Sequence, residues 1–254
     1  MAYRYLFEQM VRRELRQKYR GSALGVLWYL INPLVLMGAY YLMFGVIFDQ
    51  VQEPNYPLFL LVGLVVWVFF NQAVVSAAPS LLDQGALVRK ARFPREIIPA
   101  SVVTVQLVTF LALLALLAPV TIVIRGTFDV ALLLLPLVLA CLFAFVLGIA
   151  LAVSILHAYF RDVAPILSAA LLPWFFISPI FFRPESITDQ AKARFVLEWV
   201  NPIAPFIGTI RDVIYGGVVP GGQELAYVVV AGAVALRGGH ALFRRLQGEL
   251  AVVV

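Results

Sequence analysis

Apolar residues in this chain gather into long runs, and the polar residues between them are few and clustered. From Gly25 to Phe48 there is no acidic or basic side chain, and about 20 such residues suffice to cross the hydrocarbon of a bilayer as a helix. Comparable runs follow at about 57–78, 97–124, 131–156, 163–182 and 225–243. The pattern predicts an all-α integral membrane protein with six transmembrane helices. It divides one permease-like domain, 1–254, into an amphipathic arm (1–24), five spans (25–182), an outer segment of short or re-entrant helices (183–222), and a last span with its tail (223–254).

The arm fixes sidedness. Tyr3, Leu6, Phe7, Met10, Val11 and Leu15 recur at helical spacing over 3–20, with Glu8, Arg12, Arg13 and Arg16 opposite, the pattern of a helix at a membrane interface. Arg12, Arg13, Arg16, Lys18 and Arg20 lie within nine residues. A Lys or Arg at mid-bilayer costs roughly 2.5–3.5 kcal/mol, so this cluster stays on the cytoplasmic side. The loop Asp83–Glu96 holds Arg89, Lys90, Arg92 and Arg95 and belongs on the same face, as do Arg161 and Arg244-Arg245. Both termini are therefore expected in the cytoplasm.

Three places depart from plain spans. Asn32-Pro33 lies inside the first, where proline removes a backbone donor and predicts a kink. The fifth carries Pro165, Pro173 and Pro179. Within 183–222, Ile187–Trp199 predicts one short helix. Ile203, Phe206, Ile207, Ile210, Val213 and Ile214 predict a second, stopped by Gly216-Gly217. Helices too short to span are tolerated at membrane depth only when packed in protein or lining a cavity.

Composition agrees with this reading. Apolar residues make up 63% and charged residues 13%, against about 25% charged in soluble domains, and mean hydropathy is +0.95. The net charge of +5 sits beside apolar spans, which argues for topology rather than a nucleic-acid partner. Cys141 is the single cysteine, so no internal disulfide forms. The first 24 residues lack the short apolar core of a cleavable signal.

The acids lie in loops, the arm or span edges, whereas ion-driven carriers bury an ionisable residue within a span. Only Arg237 comes close, within snorkelling reach of an edge. There is no phosphate-cradling Gly-rich loop and no His/Cys/carboxylate cluster for a metal, so no cofactor is expected in this chain. A membrane-embedded enzyme would need convergent acids or histidines near one face. Uphill transport would draw its energy from another subunit. Aromatic residues supply the remaining signal: Tyr29, Tyr40 and Phe44 share a face of the first span, and Trp174, Phe175, Phe176 and Phe181 crowd the fifth. Such rings stack on sugars and are candidates to line a substrate channel, although aromatics also concentrate at membrane interfaces and in helix packing.

Read in order, four motifs resemble the type-2 ATP-binding-cassette export permeases of the polysaccharide, O-antigen and teichoic acid branch. They are Leu15–Trp28 (LRQKYRGSALGVLW) with Asn32-Pro33-Leu34; Arg89–Pro99 (RKARFPREIIP); Arg161-Asp162-Val163 with Ser178-Pro179-Ile180-Phe181; and Asn201-Pro202 with Arg211-Asp212 and Gly216-Gly217. Only Ala235–Leu242 departs from the pattern. The resemblance implies a homodimer of six-span permeases in the bacterial inner membrane, moving a lipid-linked polysaccharide. Each copy would be bound to a separate cytoplasmic ATPase that carries ATP and Mg. An exporter of drugs or lipids shares the topology, with larger outer loops. The resemblance further implies an ATPase interface at Arg12, Arg13, Arg16, Arg89, Lys90, Arg92, Phe93, Pro94, Arg95 and Glu96. It places an outer gate at Asn201, Pro202, Arg211 and Asp212.

Overall fold

The computed structural model describes residues 2–19, 28–47, 53–90, 93–127, 129–186 and 191–250. Arg20, the junction 21–27, Arg92 and residues 187–190 lie outside this set, as do the side chains of Tyr29 and Lys90. The described residues form helices and connections, with no strand among them. In chain order the helices are α1 (Ala2–Tyr19), α2 (Trp28–Tyr40, continuing as a π-helical turn Tyr41–Ile47), α3 (Tyr56–Ala77), α4 (Ser80–Asp83), α5 (Gly85–Lys90) and α6 (Ile97–Arg125). Then come α7 (Leu135–Tyr159, after a 3₁₀ turn Val130–Leu134), α8 (Val163–Ile177), α9 (Ala191–Phe195), α10 (Ala204–Arg211) and α11 (Gly222–Leu246). Tyr56–Ala77, Ile97–Arg125, Val130–Tyr159 and Gly222–Glu249 are long and apolar enough to cross a membrane; Ile31–Ile47 and Val163–Ile177 are apolar but shorter. The chain is a multi-pass membrane protein.

α3 is the centre of the bundle. Its run Phe59–Trp67 is apolar on every face and buried throughout, as expected of a helix surrounded by others. α2, α6, α7, α8 and α10 all pack on it. α7 and α11 make the closest helix pair. A Cβ at Gly148 would lie 2.2 Å from the Ala235 backbone, and one at Gly239 would lie 1.9 Å from the Gly148 carbonyl oxygen. Gly238 and Gly239, within the stretch Ala235–Leu242 that departs from the motif pattern, are therefore split in role: Gly239 is buried at this contact and Gly238 faces outward. In lipid, small residues of this kind let dispersion and backbone proximity replace a hydrophobic driving force.

The expected kink at Pro33 is not where α2 becomes irregular. The helix runs through Pro33, and the change of winding comes at Tyr41–Ile47. The expected fifth span, 163–182, stops early at Ile177. Ser178 is extended (φ −77°, ψ 143°), because the ring of Pro179 excludes the helical conformation from the residue before it. The fifteen residues of α8 rise only about 22 Å, short of the roughly 30 Å hydrocarbon core. Between α8 and α11, α9 with the π turn Val196–Val200 and α10 with the π turn Asp212–Gly216 occupy the segment expected to hold two short helices. Gly217 (φ 64°) ends the second in the left-handed conformation that glycine favours.

The arm is docked rather than free on the surface. Met10 is buried in a cluster with Leu81, Val88, Ile98, Ile155 and Phe243. Two turns later Lys18 donates to Gln106 Oε1 (2.5 Å), so α1 tracks the first turns of α6. Glu8, Arg12, Arg13 and Arg16 face outward.

Candidate functional site

A groove opens at membrane depth between α2, α3 and α8. It has a volume of about 430 Å³, and its walls carry Asn32, Asn71, Gln72 and Ser168 beside Tyr40, Trp67 and Phe175. Between Tyr56 and Ser76 near its ends α3 is otherwise apolar, and an amide costs free energy in hydrocarbon unless it finds a partner. Asn71 and Gln72 both stand on the part of α3 that looks into this groove. Ser168 donates its proton to the Ala164 carbonyl (3.0 Å), leaving an acceptor oxygen. The groove therefore offers amide donors and acceptors next to ring faces, which suits a ligand with hydroxyls and flat carbon faces. The four polar residues were not singled out from sequence as lining groups. Their signal was there, since amides inside spans that otherwise exclude polarity need a reason.

Five of the seven aromatic candidates form one cluster. Tyr40 lies 4.7 Å from Phe181 and 5.6 Å from Phe175 between ring centroids. Phe44 lies 5.0 Å from Phe181, and Phe176 lies 5.2 Å from Phe175. Phe175 and Phe181 are buried, Tyr40 and Phe44 are half-buried, and Phe176 is exposed. Trp174 turns the other way, edge-on to Phe70 at 5.3 Å, with its indole N–H donating to Asn201 Oδ1 (2.8 Å). The side chain of Tyr29 lies outside the described residues. Leu42, Met43 and Ile47 on α2 and Ile166, Leu172 and Ile177 on α8 are exposed apolar residues flanking the groove.

At the end of the bundle away from the arm, the non-helical chain just beyond the truncated α8 leaves the Pro179 and Ile180 carbonyls without helical partners. Arg211, only 2% exposed, supplies the donors: Nη1 to the Pro179 carbonyl (2.9 Å) and Nη2 to the Ile180 carbonyl (3.0 Å). Its guanidinium lies 3.7 Å over the Phe59 ring. Gly63 makes room for it, since a Cβ there would fall 2.3 Å from Nη2. A planar fork suits two neighbouring carbonyls. Asn201 is buried and ties the end of α8 to the start of α10, accepting from the Trp174 indole and from the Ile203 N–H (3.3 Å) and donating to Ser178 Oγ (3.1 Å). Pro202 follows it, half-buried. Arg183 pairs with Glu53 (2.8 Å) and reaches Asp212 (3.7 Å). Burial first, and the neighbouring Glu224 second, push the Asp212 carboxyl up to about 6 against the pull of Arg183.

At the arm end, the candidate interface residues divide. Arg12, Arg13, Arg16, Arg89 and Pro94 are exposed. Phe93 is half-buried against the cluster around Met10. Arg95 donates to the Gln247 carbonyl (2.5 Å), and Glu96 faces His240 (3.5 Å) and Arg244 (3.9 Å). These last three tie the loop before α6 to the end of α11. Arg92 and the side chain of Lys90 lie outside the described residues. No group of three or more His, Cys, Asp or Glu able to hold a metal occurs among the described residues.

A multi-pass helical bundle with a polar, aromatic-walled groove at membrane depth is the architecture of a transport permease. Residues 5–215 match the ABC-2 type transporter family, and the chain belongs to it. Among its relatives is the O-antigen export system permease protein RfbA of Myxococcus xanthus, 31% identical over 98% of this chain and 95% of that protein. An RfbA of Klebsiella pneumoniae is 28% identical over 98% and 96%. The polysialic acid transport protein KpsM of Escherichia coli is 27% identical over 93% and 92%.

Proposed function

We propose that this chain is the membrane subunit of an ATP-driven exporter that carries a lipid-linked (polyprenyl-pyrophosphate) polysaccharide, such as an O-antigen or teichoic acid, across the bacterial inner membrane. It would act as a homodimer with six spans per copy and both termini in the cytoplasm. A separate cytoplasmic ATPase, with ATP and Mg, would drive it. The observation that carries this reading is the groove between α2, α3 and α8, where Asn32, Asn71, Gln72 and Ser168 meet Tyr40, Trp67 and Phe175. Polysaccharide offers hydroxyls and ring faces together, whereas a purely apolar cargo would not need the amides. Similarity to two O-antigen permeases over nearly the whole length supports the same cargo.

In this reading the lipid anchor stays in the bilayer beside α2 and α8 while sugars follow the groove and the facing groove of the second copy. The exposed cations of α1 and Arg89 with Pro94 dock the ATPase. Arg95 and Glu96 pass its movement to α11 through their contacts at Gln247, His240 and Arg244. The Arg211 and Asn201 networks hold the outer mouth, and rigid-body shifts of the two halves open it. The test is depletion of this protein in its own cell. Lipid-linked polysaccharide should accumulate on the cytoplasmic leaflet and disappear from the surface. Wild-type protein should restore it, and the pair Asn71→Leu with Gln72→Leu should not, despite normal membrane levels. Normal surface polysaccharide in depleted cells would refute the function, and full rescue by the double variant would refute the role of the groove.

A further inference from the structure

A second cavity, of about 480 Å³, lies beneath the arm between α1, α3, α4 and α6; Arg13, Glu14, Lys18, Asp83, Gln84 and Gln106 are among its walls. Its depth in the membrane follows from helix length. α6 has 29 residues and rises about 43 Å, so some 13 Å of it must lie outside a roughly 30 Å hydrocarbon core. Counting the core back from Arg125 puts Val105 and Gln106 at its arm-side edge. α3 gives the same level independently. Ser76 is 20 residues in from Tyr56 and accepts from Gln106 Nε2 (3.4 Å). The cavity thus opens at the height of lipid phosphates.

The α6 wall continues as a lipid-facing stripe. Val102 and Val105 line the cavity, and the same i+3 row of the helix runs on to Val108 and Leu111, which are exposed. A molecule with a polar head in the cavity would lay acyl chains along that stripe. The charges of the walls balance, Arg13 and Lys18 against Glu14 and Asp83, so a net anion gains little where a zwitterion satisfies both signs. Glu14 accepts from Gln84 Nε2 (3.0 Å), and Asp83 is exposed. None of the described lining residues is aromatic. A quaternary ammonium, which has no N–H and is held by ring faces, finds nothing here, whereas a primary ammonium has three donors for carboxylate and amide oxygens.

We propose that this cavity binds the headgroup of a phosphatidylethanolamine-type phospholipid from the arm-side leaflet, with its phosphate at Lys18 and Arg13 and its ammonium at Asp83 and Glu14. The bound lipid bridges the arm to α3 and α6, and so joins the element that carries the exposed cations to the centre of the bundle. Burial lowers the Lys18 ammonium to about 8, and a phosphate beside it would offset that effect.

The experiment reconstitutes the full chain in nanodiscs of equal phosphatidylethanolamine, phosphatidylcholine and phosphatidylglycerol, then counts retained lipid by native mass spectrometry after extraction in mild detergent. Wild type should keep one phosphatidylethanolamine per chain, at least fivefold over either other lipid. Asp83→Asn, at an exposed side chain that cannot disturb the core, should lower the ethanolamine-to-glycerol ratio at least fivefold. Lys18→Gln should lower phosphatidylethanolamine retention by a similar factor, Lys18→Arg should keep it, and Arg161→Gln should change nothing. Equal retention of ethanolamine and choline lipids by wild type would overturn the proposal. So would an unchanged ratio in Asp83→Asn, or displacement of the lipid by inorganic pyrophosphate, which would make the cavity a plain anion site. If Lys18→Gln does not fold, the Asp83→Asn ratio decides alone.

Discussion

Replacing Gly239 by alanine should force α11 away from α7. The new Cβ would stand 1.9 Å from the Gly148 carbonyl oxygen, whereas ordinary contact begins at 3.4 Å, so the helices must part locally by about 1.5 Å. Neither side can yield cheaply, because the obstacle is backbone. Overpacking of this kind costs about 1–3 kcal/mol, and a shift this large belongs at the upper end. Alanine returns up to about 1 kcal/mol through helix propensity, leaving a net loss of about 2 kcal/mol. For a chain of this size that lowers the melting midpoint by about 4–8 °C. Gly148→Ala, with 2.2 Å to the Ala235 backbone, should cost slightly less. Gly232→Ala, with 2.7 Å to the Cys141 carbonyl oxygen, should cost less than either but still measurably, because that obstacle too is backbone. Gly238→Ala meets nothing within 4 Å and should be neutral or mildly stabilising. The double variant Gly148→Ala/Gly239→Ala is the sharper measurement, because both groups obstruct the same approach. Once one has parted the helices, the other enters opened space, so the double should cost at least about 1 kcal/mol less than the sum. Thermal unfolding of the detergent-purified protein, read by helical circular dichroism, gives all five values. A Gly238→Ala loss equal to that of Gly239→Ala, or strict additivity of the pair, would refute the close-packed interface.

Arg211→Lys keeps the charge but cannot fork to two carbonyls, so it should cost about 1–3 kcal/mol for the bond left unmade; unfolding stability equal to wild type would show that the fork is not what holds the end of α8. Phe93→Ala keeps every cation of its loop and removes a half-buried ring, so membrane topology should be unchanged while stimulation of the ATPase by the permease falls severalfold. Equal stimulation would reject a coupling role. The raised Asp212 carboxyl means that the folded state favours the protonated form. Its ionisation therefore opposes folding above about pH 6, and the penalty is relieved as pH falls from about 6 toward the ordinary value of 3.8. Asp212→Asn should flatten the pH dependence of stability over that window, and a superimposable profile would remove Asp212 as its source.

What could be read from sequence and what could not separate along a physical line. Helix α10 was legible because its large apolar residues Ile203, Phe206, Ile207 and Ile210 recur at helical spacing, with Gly217 marking the stop, even though nearly every residue of the helix is buried. The arm was legible for the same reason. The early end of α8 was half legible: Pro179 announced a disturbance, but whether a proline kinks a helix or ends it depends on who receives the freed carbonyls. That receiver is Arg211, 32 residues from Pro179, and nothing in the local pattern joins the two. The aromatic residues were visible individually, yet their directions were not. Trp174 and Phe175 are neighbours that face different sides, one toward Asn201 and Phe70, the other toward Tyr40 and Phe181. The groove and the cavity beneath the arm were the hardest to see, since each gathers one or two polar residues from helices far apart in the chain. Polar residues inside membrane spans were in plain sight all the same. Asn71, Gln72 and Gln106 each sit in an apolar helix that hydrocarbon would rather keep dry, and each one lines a cavity. In a chain of this kind an amide within a span is better treated as the address of a polar cavity than as an exception to the span.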